Sequence, residues 1–291
     1  MTNHSEGWFD TIPLPALVGI GGPDGRSYRA VRTLTSDDQV GIDHAQTLYH
    51  SLKPIMTMFQ IVNWNYDELQ DFIKTLSKDE PHYPQPMLAA NRLLLNYTAS
   101  ADALLEHFAR QHKGQCRAMK QPDSGFKMLR GELEKTHDSF QFFVCFRDHV
   151  LHRSLPVGHL SQTKSLTDGV RVSLTYSSDE LRDSSPRDWA GCRLIKKMPT
   201  IDLVRVVAEF HSILNGQILK SVLACYHLAL DKAAECHRRL TAEVVEAFPN
   251  HRPAILRERM QSVNEFTWQM DALPPDLLKD LGIRIGSPPA V

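Results

Sequence analysis

Three long stretches of this sequence repeat apolar residues at alternating spacings of three and four, and this repeat constrains the fold more than any other feature. Such spacing places the apolar side chains in one stripe along an α-helix, which must then be buried against another element. The first two stripes predict long helices that pack as an antiparallel pair. The third predicts a helix of about ten turns or more, from about Thr200 toward Phe248. In chain order the stripes are Met87, Ala90, Leu94, Tyr97, Ala101, Leu104 and Phe108; Phe126, Leu129, Leu133, Thr136, Phe140, Phe143 and Val150; and Leu203, Val207, Phe210, Leu214, Ile218, Val222, Cys225 and Ala229.

Two segments predict β structure. Residues 1–35 are expected to form an N-terminal β-hairpin, because Pro23, Asp24 and Gly25 are turn residues between two short apolar runs. A phosphate-binding loop is the alternative, but the glycines lack the spacing G-x-G-x-x-G. Residues 168–178 alternate apolar and polar side chains, which predicts a strand that pairs with the hairpin.

The other segments predict helices. Ser36 is expected to begin a helix that runs to about Phe59, with Pro54 as a site for a kink, and residues 63–79 a second, shorter helix. The predicted organisation is therefore an N-terminal hairpin, a helical domain over 36–250 with the strand inserted, and short C-terminal helices over 251–291. The fold class is mainly α: a helical bundle with long antiparallel helices and a small β addition.

Composition excludes several classes of protein. The 291 residues include 33 Lys and Arg against 34 Asp and Glu, so any contact with nucleic acid must come from a local basic patch. No apolar run approaches the roughly 20 residues of a membrane-spanning helix, so no membrane partner is expected. The five cysteines are scattered and never form C-x-x-C, which favours reduced thiols and a cytoplasmic location.

The stretch FRDHVLHR, residues 146–153, departs from the apolar pattern. Arg147 continues the spacing of Phe140 and Phe143, so a cation lies at a position where the stripe predicts an apolar side chain. An unpaired buried guanidinium is costly and requires an anion. That anion is either an acidic residue on a neighbouring helix or a ligand such as a phosphate, which a guanidinium can bind with two hydrogen bonds.

The residues after Arg147 add groups that transfer protons. Asp148 and His152 are four residues apart on one helix face, so the carboxylate can orient the imidazole, and His149 adds another titratable side chain. Arg147 and His152 are five apart, a rotation of about 140° on a regular helix. They can converge on one phosphate if the helix deforms or if two copies of the helix meet across a two-fold axis.

This motif resembles the signature of the HEPN superfamily, R-x(4–6)-H, in which a polar residue follows the arginine. Two segments in the same order are similar to a bacterial HEPN-like group: NRLLLNYTASADALLEHF at 91–108 and FVCFRDHVLHRSLPVG at 143–158. The resemblance implies a helical bundle that dimerises and brings two motifs together. It also implies metal-independent RNA cleavage by attack of the ribose 2′-hydroxyl, without a cofactor, in toxin–antitoxin or antiviral defence systems.

On this chain, the resemblance implies that Arg147 binds the scissile phosphate and that His152 transfers protons. Asp148 stands where the family usually has asparagine, which places a negative charge near the phosphate. His149, Asn91, Arg92, Asn96 and Arg153 are candidate substrate-binding residues. Asn91, Arg92 and Asn96 serve equally well as interhelical or surface groups, and Arg153 as a solvated charge.

Two functions from different classes follow from these residues. The first is an endoribonuclease that acts as a homodimer on RNA, with an antitoxin or other defence protein as a further partner. The second is a non-catalytic interaction protein in which Arg147 and His152 organise a dimer interface. Cys225, His227, Cys236 and His237 do not predict a metal site, because about 16 Å of helix rise separates the two cysteines.

Overall fold

The computed structural model describes residues 13–21, 27–78, 85–118, 125–165, 169–261 and 266–272. Its helices are α1 (Ser36–Leu76), α2 (Pro86–Ala118), α3 (Gly125–Thr136), α4 (Asp138–His152), α5 (Ser178–Ser184), α6 (Pro186–Trp189), α7 (Arg193–Lys197), α8 (Leu203–Ile213) and α9 (Leu219–Ala247), with a π-helical turn at Leu214–Ile218. Its strands are β1 (Ala16–Gly21), β2 (Ser27–Thr33), β3 (His159–Ser165), β4 (Gly169–Ser177), β5 (Thr200–Asp202), β6 (His251–Gln261) and β7 (Phe266–Ala272). The fold is therefore mainly α with two small antiparallel sheets, which confirms the predicted class at this level.

The chain divides into two compact units, one of residues 1–54 with 226–291 and the other of residues 55–225. In the first unit, β1 and β2 pair antiparallel, as the expected hairpin requires, and its predicted turn residues Pro23, Asp24 and Gly25 lie outside the described residues. β6 pairs with the free edge of β1, and the four-stranded order is β2-β1-β6-β7. The prediction of short helices over 251–291 is wrong for the residues of β6 and β7; residues 262–265 and 273–291 lie outside the described residues.

An ion-pair network fixes the start of α1 in this first unit. Thr35 and Asp38 form a capping box, since each backbone N–H is bonded by the side chain of the other residue. The fully buried Asp38 carboxylate also contacts Arg32 and Arg239, both at 2.6 Å. Burial alone would raise the pKa of Asp38, but the bonds from Arg32 and Thr35 hold it well below its usual range. Beside this network, an apolar cluster joins the sheet to the helices: Leu17, Leu34, Ile42, Leu240, Val244 and Ile255.

Helix α1 is one helix of 41 residues, not the two that the sequence predicts. Pro54 lies inside this helix, and the loss of the hydrogen bond that its missing N–H would have made does not end the helix. The apolar stripe continues past the proline at the same spacing, and burial of that stripe offsets the lost hydrogen bond. The buried positions are Ile55, Phe59, Val62, Leu69, Phe72 and Leu76.

Helix α4 is the core element of the second unit. It packs against α2, α3, α7 and α8. The second predicted stripe is split between α3 and α4, because His137 is extended, with φ −120° and ψ 113°. Aromatic contacts fill the space around α4: Phe143 stacks on Phe210 at 3.7 Å between ring centres, and Phe142 lies 5.4 Å from Trp189.

The second sheet lies in the same unit. β4 pairs with β3 on one side and with β5 on the other, both antiparallel. The predicted strand at 168–178 is present as β4, but the expectation that it pairs with the N-terminal hairpin is wrong. The third predicted stripe is helical from Leu203 to Ala247 and includes the π-helical turn.

One finding concerns membranes. Within the described residues, no single helix is long and apolar enough to cross a bilayer. One pair of helix segments joined at a bend, Leu203–Tyr226 with Leu228–Ala247, reaches the required length and composition when taken together.

Candidate functional site

Arg147 is bound by two carboxylates. Its Nη1 lies 2.8 Å from Oδ1 of Asp102 on α2, and the two side chains are 25% and 18% exposed. Its Nε lies 3.1 Å from Oδ1 of Asp148, an ion pair whose geometry does not make a hydrogen bond. Of the two anions that the sequence leaves open, the structure therefore places an acidic residue of a neighbouring helix beside Arg147.

The local charge around Arg147 is negative. Two carboxylates face one guanidinium, so the group carries a formal charge of about −1 when both acids are ionised. Burial raises the pKa of Asp102, Arg147 opposes that shift, and the nearby Glu106 adds to it. A phosphate approaching Arg147 would meet this negative charge.

His152 stands apart from this group. It is the last residue of α4 and is exposed, and among the described residues it has no hydrogen-bond or ion-pair partner. Asp148 lies against Arg147, so the expected orientation of His152 by Asp148 is not present. α4 is a regular helix through these positions, and the rotation of about 140° keeps Arg147 and His152 on different faces.

His149 is a residue of the core. It is 2% exposed, with Nε2 3.4 Å from the Tyr176 hydroxyl and Nδ1 3.4 Å from the Ser184 hydroxyl. Its ring also packs edge-on against Tyr176 and Trp189. Burial lowers the pKa of His149, and the positive charge of Arg153 lowers it further.

Most of the remaining predicted binding residues are bonded to groups other than Arg147. Asn91 is buried, accepts from the backbone N–H of Val157 and donates to the carbonyl of Met87, so it anchors the segment after α4. Arg92 forms an exposed ion pair with Glu68 at 2.8 Å. Asn96 is exposed, and Arg153 pairs with Asp188 at 3.0 Å.

The structure also contains a polar cluster that the sequence reasoning missed. The ring of His211 stacks on Tyr66 at 3.8 Å between centres, and its Nδ1 lies 3.4 Å from the hydroxyl of the fully buried Tyr97. Its Nε2 lies 3.0 Å from the amide of Asn215, which in turn donates to Asn63. Asn215 belongs to the π-helical turn, a feature often found at functional positions. In the sequence, the signal for this cluster is that two polar residues, His211 and Asn215, lie four positions apart on the helix of the third apolar stripe.

Asp102 was missed as well. It follows Ala101 directly, at the border of the first stripe, and is the acid on α2 that reaches Arg147. Among the described residues, no group of three or more His, Cys, Asp or Glu side chains is placed to hold a metal ion. No family model, curated protein or solved structure matches the chain.

The first prediction concerns the Arg147–Asp102 pair. Arg147→Leu is expected to lower the unfolding free energy by about 2 kcal/mol, because it leaves the largely buried Asp102 carboxylate unpaired. Adding Asp102→Asn should recover most of that loss. Since a protonated Asp102 no longer needs a cation, the difference from the wild type should shrink as the pH falls from 7 to 5.

Denaturant titrations at both pH values provide the measurement. Arg153→Leu is the matched control, since it breaks a more exposed pair and is expected to cost less than about 1 kcal/mol. An Arg147→Leu protein as stable as the wild type at pH 7 would show that the pair does not stabilise the fold.

The second prediction concerns His149. Its pKa in the folded protein lies below the ordinary 6.5, so the unfolded chain binds the proton first and stability falls as the pH drops below about 6.5. His149→Gln should therefore make the decline in melting temperature between pH 7 and pH 5 shallower. His211, whose pKa is also lowered by burial, keeps part of the decline. The exposed His152→Gln is the control and should follow the wild-type profile; an unchanged slope in His149→Gln would contradict the prediction.

Proposed function

We propose that the chain is a non-catalytic HEPN-like protein that acts by forming a homodimer. The observation that carries its non-catalytic character is the pairing of Arg147 with Asp102 and Asp148. A phosphate-binding arginine needs open donors and a neutral or positive surrounding. Here Asp102 on α2 forms an ion pair with the guanidinium, and Asp148 adds a second negative charge. The motif therefore supports a structural role more than a catalytic one.

A surface of the same unit supports the dimer. We define the Trp64 face as Trp64 and Glu68 on α1 with Leu88, Arg92 and Leu95 on α2. The face is continuous, because Trp64 and Glu68 are one helical turn apart, Glu68 pairs with Arg92, and Leu88 and Leu95 flank Arg92 on its helix. Trp64 is 70% exposed and Leu88 64% exposed.

The composition of the Trp64 face fits a second copy of the chain. Tryptophan and arginine are the residues that most often dominate binding energy at protein interfaces. In a two-fold interface the same patch meets itself, so each charge needs its opposite on that patch. The Trp64 face carries one cation and one anion, so in the dimer Arg92 of one copy can pair with Glu68 of the other copy instead of its own Glu68.

The third prediction tests this homodimer. The wild-type protein is expected to be dimeric at micromolar concentration, and Trp64→Ala should weaken the dimer at least about tenfold, the effect of losing a hot-spot side chain. Light scattering and sedimentation across a concentration series give the dissociation constants. Met128→Ala, which removes an equally exposed apolar side chain from α3 of the same unit, is the control and should remain as dimeric as the wild type. A monomeric wild type, or equal weakening by both variants, would remove the proposal.

The second candidate function is metal-independent RNA cleavage at a composite site of two chains. The observation that favours it is the exposure of both motif residues: His152 is exposed, and a quarter of the Arg147 side chain reaches solvent. Across a two-fold axis, His152 of one copy could approach Arg147 of the other, as the resemblance implies. In that case the chain would act in a toxin–antitoxin or antiviral defence system, with RNA as substrate.

The fourth prediction separates the two functions. Total RNA incubated with the purified protein in EDTA is expected to show the same background degradation for the wild type and for Arg147→Ala. Cleavage by the wild type that falls by about two orders of magnitude or more in both Arg147→Ala and His152→Ala would establish the second candidate instead. Arg205→Ala, which removes an exposed positive charge from α8 of the same unit, is the matched control. Under the second candidate, Asp148→Asn should keep the cleavage activity.

A further inference from the structure

One face of α4 holds the segment from Trp189 to Lys197. Gln141 contacts this segment at two points: its Oε1 accepts from the backbone N–H of Arg193 at 3.0 Å, and its Nε2 donates to the carbonyl of Gly191 at 3.2 Å. These two residues directly precede and follow Cys192. The backbone of Cys192 is therefore held in place against α4 from both sides.

Further contacts fix the end of the same segment. Asp138 lies nearly one turn before Gln141 on α4, and its carboxylate binds Arg193 and Lys197, each at 2.6 Å. The guanidinium of Arg193 also donates to the carbonyl of Glu134 at 2.9 Å. α7 thus has a defined position along α4 that does not depend on any contact of a cysteine.

Cys145 lies one turn beyond Gln141 on α4, on the same face. That position directs its side chain toward Cys192, and each cysteine is the largest influence on the pKa of the other, which places the two thiols side by side. Both cysteines are free thiols; Cys145 is half-buried and Cys192 is buried. Two neighbouring thiols on backbone segments of fixed position are the arrangement from which a disulfide can close.

The surroundings of the two sulfurs give them different roles. The adjacent Cys145, with the backbone N–H groups of Ile195 and Leu194, lowers the pKa of Cys192 below its ordinary value, although burial opposes that shift. The adjacent Cys192 and burial raise the pKa of Cys145. Cys192 is thus the sulfur of the pair that ionises more readily, and thiolates are the form that oxidants attack.

We propose that Cys145 and Cys192 are an oxidation site that closes to an intramolecular disulfide in the presence of hydrogen peroxide or a related peroxide. The thiolate of Cys192 attacks one peroxide oxygen, the O–O bond breaks, and hydroxide leaves, which gives the sulfenic acid. The sulfur of Cys145 then attacks the sulfenic sulfur and displaces its oxygen, which leaves as water with the proton of Cys145. Two thiols and one peroxide give one disulfide and two waters, and the peroxide is the oxidant that is reduced.

The disulfide would join α4 to the start of α7, positions 145 and 192, and would close a loop through β3, β4, α5 and α6. A loop of this length removes chain entropy from the unfolded state, so the oxidised protein should be the more stable form. Peroxide can reach the pair from the side of the half-buried Cys145. The proposal uses neither Arg147 nor the Trp64 face, so it does not rest on the proposed function.

The fifth prediction is measured on the full-length wild-type protein. After treatment with a few equivalents of hydrogen peroxide and alkylation of the remaining thiols, peptide mapping should find Cys145 linked to Cys192. The melting temperature should rise by about 5 °C or more relative to the reduced protein, and a reductant should reverse both changes. Cys225→Ser is the control that removes an exposed thiol and should still form the same link.

Two outcomes would overturn the proposal. One is a wild-type protein in which Cys145 and Cys192 remain reduced, or oxidise separately to sulfinic acids, while other thiols react. The other is a linked peptide that joins either cysteine to a different partner. Cys145→Ser gives an independent check of the order of steps: without the second sulfur, Cys192 should accumulate as a sulfenic acid, which adds one oxygen to the intact mass and reacts with dimedone once the protein is unfolded. Because the linkage is mapped on the wild type, a variant that fails to fold does not weaken the test.

Discussion

The second unit depends on one requirement: α4 must bury a wide aromatic face while it also carries an arginine and a histidine. Phe140, Phe142, Phe143 and Phe146 are each 2% exposed or less. With these four rings inside, Arg147 falls at the border of the buried face and not at its centre. A cation at that border remains partly hydrated, and the ion pair with Asp102 on the neighbouring α2 compensates for the hydration that is lost. The packing of the aromatic face thus decides which partner Arg147 receives.

The same requirement explains the different positions of the two histidines. His149 follows Phe146 by three residues, so it continues the buried face and must find its hydrogen bonds in the interior, at Tyr176 and Ser184. His152 lies one turn nearer the end of α4, where the helix leaves the core, and is exposed. A sequence motif that treats the two as neighbours therefore spans two environments.

The sequence predicted what depends on local periodicity, and it did not predict what depends on distant pairing. The stripes located the helices, and the alternation at 168–178 located β4, because both patterns follow from the repeat of one element. The partner of β6 is β1, at the other end of the chain, and no local pattern specifies that pairing. Arg147 was placed on the stripe because spacings of both three and four fit the pattern; Phe146 takes the interior position instead. Asn91 and Arg92 adjoin in sequence, yet one anchors a buried loop and the other an exposed ion pair, a difference that only the packing of α2 decides.

α4 also separates its two chemically distinct groups. Cys145 and Arg147 are two residues apart, a rotation of about 200°, so they lie on nearly opposite sides of the helix. The thiol faces α7 and the guanidinium faces α2. A chemical change at the thiols therefore reaches the Arg147–Asp102 pair only by moving α4 as a rigid body, and four aromatic side chains oppose such a movement. The separation is one of contacts and not of charge, because the negative charge of Asp148 still raises the pKa of Cys145. A single helix of 15 residues can thus carry both the Cys145 thiol and the ion pair of Arg147, provided that its aromatic face remains buried.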